Sequence, residues 1–299
     1  MASSADILAK ANTSFCLDLL RRLSDNDKTA NVFFSPFSIS SALAMVMLGA
    51  AGNTASQMAE CLKIEAHDEI HASFAKVLLE LNNPKSLYAL SVANRLYGEK
   101  SYKFVKNATK PVKMMYQQSE FPLTFISEAN CQILELPYKG KDLSMLIFLP
   151  MHIVGDSTGL EMIETQLTYE NFLEWTRPDM MDIVTVKVGL PRFKMEEKYN
   201  MKNVLVSMGM SDAFNISNSD FSGMSPAKDL VLSKVIHKAF VEVNEEGTEA
   251  AAACAFESAF QFRCVSRTHV FIADHPFLFF IRHNPSMSVL FAGRYCCPV

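Results

Sequence analysis

The 299-residue chain reads as an α+β protein in which helices come first and sheets follow within one folded unit. Three observations carry this reading. Apolar residues recur at helical spacing through the first 81 residues; after Lys110 the apolar residues fall in strand-like runs; and no internal repeat or low-complexity linker separates the two regions.

The first helix is expected over Ala11–Leu23, where Phe15, Leu19, Leu20 and Leu23 share a face and Ser24-Asp25-Asn26-Asp27 ends it. A short strand Val32-Phe33-Phe34 follows. Ser35-Pro36 then pairs a helix N-cap with a proline at the first helical position, and the apolar run Ile39–Leu48 predicts a helix buried on nearly every side. Gly49–Thr54 breaks that helix. Thr54 with Gln57 three residues later matches a capping box, so a third helix is expected to about Leu62. Phe74, Val77, Leu78 and Leu81 place another over Ile70–Leu81, ended by Asn82-Asn83-Pro84, and Leu87–Leu96 reads as a strand. Beyond Lys110, strands are expected at Cys131–Pro137 and Leu143–Pro150, joined by the turn Tyr138–Asp142, and at Ile183–Phe193. Short helices are expected at Gly159–Leu167, Tyr169–Glu174 and near Met201–Met208. Leu230–Val243 fits helix or strand, and Phe277–Ile281 and Ser288–Phe291 are strands flanking a His283-Asn284-Pro285 turn.

Composition excludes several function classes. Eleven glycines and twelve prolines fall below the roughly 12% of average usage, and 49% of residues are hydrophobic, so the chain is neither disordered nor collagen-like. The net charge of −4 gives no basis for general binding to nucleic acid or an anionic membrane. The longest apolar run, Ala42–Ala51, is about half of the ~20 residues a membrane-spanning helix needs. The segment MASSADILAKANTSF lacks the marks of a secretory leader, so a cytoplasmic location is expected. Seven scattered cysteines without a CxxC spacing fit free thiols in a reducing compartment. Sequons begin at Asn12, Asn107 and Asn215 and would matter only in a secreted chain.

Signatures of catalysis are weak. No GxSxG, P-loop or GxGxxG sequence occurs. His67 and His71 have the spacing of two metal ligands on one helix face, but the order is HxExH and no third ligand presents itself, so a solvated helix end is expected. Asp274-His275 could belong to a triad, yet the following Pro276 favours an extended structural turn. The methionine pairs Met45/Met47, Met114/Met115 and Met180/Met181 are expected to fill core space, and Cys296-Cys297 is too close for an ordinary mutual disulfide. No cofactor or metal is expected, and the chain is not expected to be an enzyme.

Residues 247–264, GTEAAAACAFESAFQFRC, alternate. Thr248, Ala250, Ala252, Cys254, Phe256, Ser258, Phe260 and Phe262 form a small or apolar set, whereas Glu249, Glu257, Gln261 and Arg263 fall in the other. Such a segment can be exposed in one state and inserted between strands in another. It also fits an ordinary strand after a glycine turn.

VEVNEEGTEAAAA (Val241–Ala253) and ADHPFLFFIRH (Ala273–His283) closely resemble the hinge and C-terminal strands of serpins of the intracellular, ovalbumin-like branch. NVFFSPFSISSALAMVMLGAAGNTASQM (Asn31–Met58), LPRFKMEE (Leu190–Glu197) and the Phe291-Ala292-Gly293-Arg294 ending agree with that branch. The resemblance implies a serpin fold, helices packed on mixed and antiparallel sheets with an exposed reactive loop, over a single domain 1–299 with the loop at about 246–272. It also implies a suicide inhibitor of serine proteases: the protease attacks the loop as substrate, and the cut loop inserts into the main sheet as an added strand. The hinge would be Glu246, Gly247, Thr248, Glu249, Ala250, Ala251, Ala252 and Ala253, whose small side chains ease insertion. Counting back from Ala273-Asp274 places the scissile bond at Arg263-Cys264; counting forward from Gly247 places it at Gln261-Phe262, because the loop is two residues longer than usual. Arg263 is preferred as the bait, with Arg267 second, because a cationic side chain selects trypsin-like proteases whose specificity pocket carries a carboxylate. The branch implies a monomer with loop–sheet polymerisation as its route to self-association, and unconventional release to the extracellular space.

One departure matters. Against the family the chain is shorter by on the order of eighty residues, and the loss is internal, with the junction near residues 106–110. The missing piece would hold the rest of one helix, an edge strand, the helix over the main sheet and the strand beside which the cut loop inserts. The main sheet is therefore expected to be incomplete.

Overall fold

The apolar stripe of the first helix extends in both directions beyond its expected limits. Helix α1 spans Ser4–Asp25, because Leu8 and Ala11 continue the buried row of Phe15, Cys16, Leu19, Leu20 and Leu23. The computed structural model describes residues 4–25, 27–64, 69–81, 112–153, 158–227, 229–244 and 268–297. The expected strand Leu87–Leu96 and the chain junction lie outside the described residues.

Strand β1 (Val32–Phe34) leads into helix α2 (Pro36–Met47), capped by Ser35 as expected: the Ser38 backbone N–H donates to Ser35 Oγ at 3.1 Å. Burial of α2 is all-round over Pro36–Ser41, as expected, and opens only near its end. Phe37, Ile39, Leu43 and Ala44 are in the core, whereas Met45 and the following Leu48 are exposed. The capping box at Thr54/Gln57 is also corrected. Helix α3 (Gly52–Cys61) starts three residues earlier, with Ala51 at its cap position and no side-chain cap. Thr54 Oγ1 instead accepts from the Asp220 N–H at 2.9 Å, and Gln57 Oε1 from the Asp212 N–H at 2.8 Å. These two side chains tie α3 to a distant segment, a tertiary demand that local pattern does not show. Helix α4 (Glu69–Leu81) buries Ile70, Phe74, Val77 and Leu81.

Among the described residues ten strands make two sheets. The larger adds β2 (Met114–Ile126), β3 (Cys131–Pro137), β4 (Leu143–Pro150), β5 (Asp182–Pro191), β8 (His269–Ile272), β9 (Phe277–His283) and β10 (Ser288–Tyr295) to β1, in the order β1-β10-β9-β4-β3-β2-β5-β8. Every neighbouring pair is antiparallel except β5 and β8. Strand β2 joins two regions, because Met114–Leu123 pairs with β5 and Leu123–Ile126 with β3. The smaller sheet is β6 (Phe193–Asn200) against β7 (Ile236–Val243). Short helices α5 (Leu160–Gln166), α6 (Tyr169–Trp175) and α7 (Lys202–Ser207) fall where expected, and Leu230–Val243 resolves as a strand over its second half.

Both faces of β4 and β9 are covered, which is why LSMLIFLP and FLFFIRH are continuous apolar runs rather than alternations. Leu146, Phe148, Leu278 and Phe280 face the helices with Phe15, Leu19 and Phe37. Met145, Ile147, Phe277, Phe279 and Ile281 face β6 and β7, with Phe193, Met195, Ala239 and Val243. Gly293 of β10 is required here, since a Cβ would lie 2.4 Å from Phe279 Cζ. The methionine pairs are not core filler in the main: Met45 and Met180 are exposed, and of the six only Met181 belongs to the buried core. Asn12 is buried, its Nδ2 donating to the Val289 carbonyl at 2.7 Å, so that sequon is inaccessible in the fold.

Two buried arginines lock the sheet. Arg282 donates to the Thr176 carbonyl (3.1 Å), Asn284 Oδ1 (3.2 Å) and Glu135 Oε1 (3.4 Å). Arg294 donates to the carbonyls of Ala30 (3.0 Å) and Asp27 and to Glu164 Oε1 (3.3 Å). Burial raises the Glu164 carboxyl above its ordinary range despite the guanidinium, so the pair is not a net source of stability. Breaking it is a different matter. Glu164→Ala leaves the Arg294 charge without its carboxylate and is expected to lower the urea-unfolding free energy by about 3 kcal/mol, with Glu164→Gln losing less; a loss in Glu164→Ala no larger than that of the Gln variant would contradict this.

Candidate functional site

The sequence places the bait and hinge between β7 and β8. Glu246–Ala253, the bond Arg263-Cys264 and its alternative Gln261-Phe262 all lie outside the described residues, so the site is built here from the two anchors that flank it. Its last part is described. Residues 269–272, included in the expected loop 246–272, form strand β8, which shortens the loop at that end.

The distal anchor is held on several sides. β8 runs parallel to β5, with His269 opposite Val186 and Ile272 opposite Gly189. The Ala273 N–H then donates to the Gly189 carbonyl at 2.8 Å, and the chain passes into the fully buried β9. Asp274 and His275 form this corner. His275 Nδ1 lies 2.8 Å from Asp274 Oδ1 and Nε2 lies 2.8 Å from the Pro150 carbonyl oxygen. Both ring nitrogens are committed to the turn, the structural role that Pro276 signalled.

The proximal anchor is a strand with one described neighbour. β7 pairs with β6 from Ile236↔Asn200 to Val243↔Phe193, and no other strand pairs with it among the described residues. His237, Ala239 and Val243 point inward; Lys238, Phe240 and Glu242 point outward, where Lys238 pairs with Glu196 and Lys194 Nζ lies 4.9 Å from the Phe240 ring centre. A hydrogen bond links β7 to the N-cap of α2. The Ser35 N–H donates to His237 Nε2 at 2.9 Å, while Ser35 Oγ donates to the Leu290 carbonyl at 2.8 Å. Leu290 sits where the β9–β10 register shifts, so its carbonyl is available. Accepting at Nε2 requires the neutral ring with its proton on Nδ1, and burial pushes His237 down to about 4. Sequence reasoning did not single out His237. A lone histidine in an ambiguous helix-or-strand segment carries no local signal, because its partner lies 202 positions away.

The remaining candidates do not converge on a centre of chemistry. His71 lies in α4, but His67 lies outside the described residues, and among the described residues no group of three or more His, Cys, Asp and Glu side chains could hold a metal. Cys16, Cys61, Cys131, Cys296 and Cys297 are free thiols, and burial pushes Cys61, Cys131 and Cys296 up to about 12, away from nucleophilic reactivity. Among the described residues no helix is long and apolar enough to cross a membrane.

The comparisons with known proteins agree with this architecture. The serpin (serine protease inhibitor) family matches residues 10–107 and 104–298. Leukocyte elastase inhibitor of Homo sapiens is 40% identical, covering 97% of this chain and 99% of its own length, and serpin B6 of Macaca fascicularis is 42% identical, covering 98% and 100%. The solved structure of maspin superposes with a TM-score of 0.85 at 28% identity, over 99% of this chain and all of maspin. Uncleaved ovalbumin gives 0.81 at 28% identity, over 97% and 100%. The alignment to the human relative runs over 378 positions, 79 more than the 299 residues here, so at least 79 of its positions face a gap. The family match breaks and restarts at 104–107, at the edge of the expected junction. The chain therefore belongs to the serpin family, in its ovalbumin-like clade B, and carries an internal deletion.

Proposed function

We propose that this chain is a baited-loop inhibitor of the suicide type for trypsin-like serine proteases, with Arg263-Cys264 as the scissile bond and Glu246–Ala253 as the hinge, and that its deletion makes the trap inefficient. The observation that carries the reading is the inequality of the two anchors. β8 continues into a strand buried on both faces, whereas β7 has an edge with no described partner and, besides its pairing with β6 and its core contacts, a hydrogen bond from the Ser35 N–H to a neutral histidine. Cleavage of Arg263-Cys264 leaves residues 264–268 joined to β8 and the hinge segment joined to β7 with a free end at Arg263, free to turn back along β7, so its backbone groups gain partners on that side. Gly247 and the alanines after it offer little steric resistance to that path.

Insertion needs a wall on the other side as well. On this reading the at least 79 missing positions include the family's neighbouring strand, and an inserted strand with one partner leaves its outer row of N–H and C=O groups unpaired. Acylation by the protease precedes insertion and does not depend on it. The reading is thus rapid attack at Arg263, a weak thermodynamic pull afterwards, and release of cut chain in place of a stable covalent complex. The same unpaired edge favours joining of one copy's loop to another's sheet over a clean monomer. A cytoplasmic location, with unconventional release, belongs to the same reading, as does the absence of nucleic-acid and membrane partners.

Mixing the purified chain with trypsin tests this directly. The expected result is cleavage, with a C-terminal peptide that begins at Cys264 and cut chain in clear excess over any band at the summed mass on a denaturing gel. Cleavage only elsewhere would remove the bait assignment, and a covalent band at near one-to-one yield would remove the claim about the deletion. The latch has its own test. A histidine lowered from 6.5 to about 4 contributes stability above pH 6.5 that is lost as pH falls toward 4, by about 3 kcal/mol. Burial depresses His283 too, in the same sense. Urea midpoints are expected to fall between pH 6.5 and 4, and to fall less in His237→Gln, which keeps an acceptor but does not titrate; equal slopes would contradict the latch.

A further inference from the structure

The cleft between the end of α1 and helix α5 takes no part in the loop chemistry. It is a cavity of about 160 Å³, the share of about five waters in the liquid, lined by Arg21, Ser24, Asp25 and Lys28 on one side and by Glu161 and Glu164 of α5 on the other. Its depth is graded. Asp25 and Lys28 are exposed at the rim, the Glu164 side chain is 13% exposed, and Ser24 is 2% exposed. Ser24 is the unusual member, because its Oγ is buried without a hydrogen-bond partner among the described residues while it borders a cavity rich in charge. Buried hydroxyls are satisfied as a rule, so this one marks a place where a bound molecule supplies the partner. Arg21, by contrast, is engaged within the protein. Its Nη2 donates to the Leu167 carbonyl at 2.6 Å, its Nε to the Glu164 carbonyl at 3.4 Å, and its Nη1 lies 3.6 Å from Asp18 Oδ1, so it braces the two helices rather than reaching for a ligand.

The lining decides what fits. Asp25, Glu161 and Glu164 repel a simple anion. Yet among the described residues no group of three or more His, Cys, Asp and Glu side chains could hold a metal ion, so these carboxylates are too spread to converge on a bare cation. A simple amine would leave the Lys28 ammonium at the rim facing no charge of the ligand. A molecule with both charges a few ångströms apart uses every side. Ser24 and Asp25 lie on the last turn of α1, whose negative pole adds attraction for the cationic end. Burial holds the Glu164 carboxyl above its ordinary range even beside Arg294, so further positive charge is favoured there.

We propose that this cavity binds a small α-amino acid as its zwitterion, the α-ammonium donating to Ser24 Oγ and the Glu164 carboxylate and the α-carboxylate pairing with Lys28 Nζ. Space for about five waters sets the size class at glycine, alanine or serine.

The test uses the purified full chain with glycine as the probe, followed by saturation-transfer NMR on the glycine Cα protons. N,N,N-trimethylglycine keeps both charges but has no N–H, and so separates directed binding from a general osmolyte effect. The expected result is transfer that saturates at millimolar glycine and is not displaced by trimethylglycine. Glycine affinity is expected to fall about tenfold in Ser24→Ala and in Lys28→Ala, and to be unchanged in Lys139→Ala, an exposed lysine of the β3–β4 turn. Lys28 is exposed, so its variant stays informative even where Ser24→Ala folds poorly. No saturable transfer, or equal affinity in the parent and both variants, overturns the inference. Displacement of glycine by methylamine as effective as by glycine itself also overturns it, since the site would then be one for a simple cation.

Discussion

Everything in this fold hangs on strands β4 and β9 being buried on both faces at once. Each side is a separate apolar layer: Phe148 and Phe280 pack toward the helices, and Ile147, Phe277 and Phe279 toward β6 and β7. A strand so placed cannot tolerate an uncovered face, because each large apolar side chain returned to water costs about 1.5–3 kcal/mol. The consequence is a division of labour. The larger sheet and its helices are complete around β4 and β9, while β6 and β7 serve on one side as the lid of the second layer and on the other as a two-stranded sheet with charged side chains outward.

In the sequence, the segment proposed as the reactive loop connects those unequal parts. Its distal end enters the doubly buried strand through a corner fixed by Asp274, His275 and the Pro150 carbonyl. Its proximal end leaves a strand whose inward tie is the Ser35–His237 hydrogen bond. That bond joins the N-cap of α2, the register shift at Leu290 and β7 in one chain of donors and acceptors. The histidine must stay neutral for the chain to close, and its depressed pKa is the electrostatic mark of that requirement. The deletion does not interrupt this chain of bonds, since all its members lie on elements present here.

Local physics made much of this legible. The Ser35-Pro36 cap, the runs Cys131–Pro137 and Leu143–Pro150 and the short helix at Tyr169 all follow from spacing and turn chemistry, and they lie where spacing puts them. What spacing could not supply were demands set by distant partners. Thr54 and Gln57 look like a capping box and instead hold Asp220 and Asp212; Met45 and Leu48 look like core and face outward; Ile236–Val243 became a strand only because β6 was there to pair with it. Of the loop, the alternating pattern and the arginine were visible in sequence, whereas the latch at His237 depends on a partner far away in the chain. The deletion was legible only through resemblance, since no residue at the junction carries a physical mark of what is absent.

The central claim of the proposed function is that β7 offers a cut loop one row of partners and that the deletion removes the strand that would supply the second. The most direct measurement is the melting temperature of the chain before and after proteolysis confined to the loop. With a single paired edge, the gain from any insertion is small, and the account predicts that cut and intact chains melt within a few degrees of one another. A rise of more than about 10 °C on cleavage, equivalent to several kcal/mol for a chain of this size, would mean that the loop enters a sheet with partners on both sides and would contradict the account.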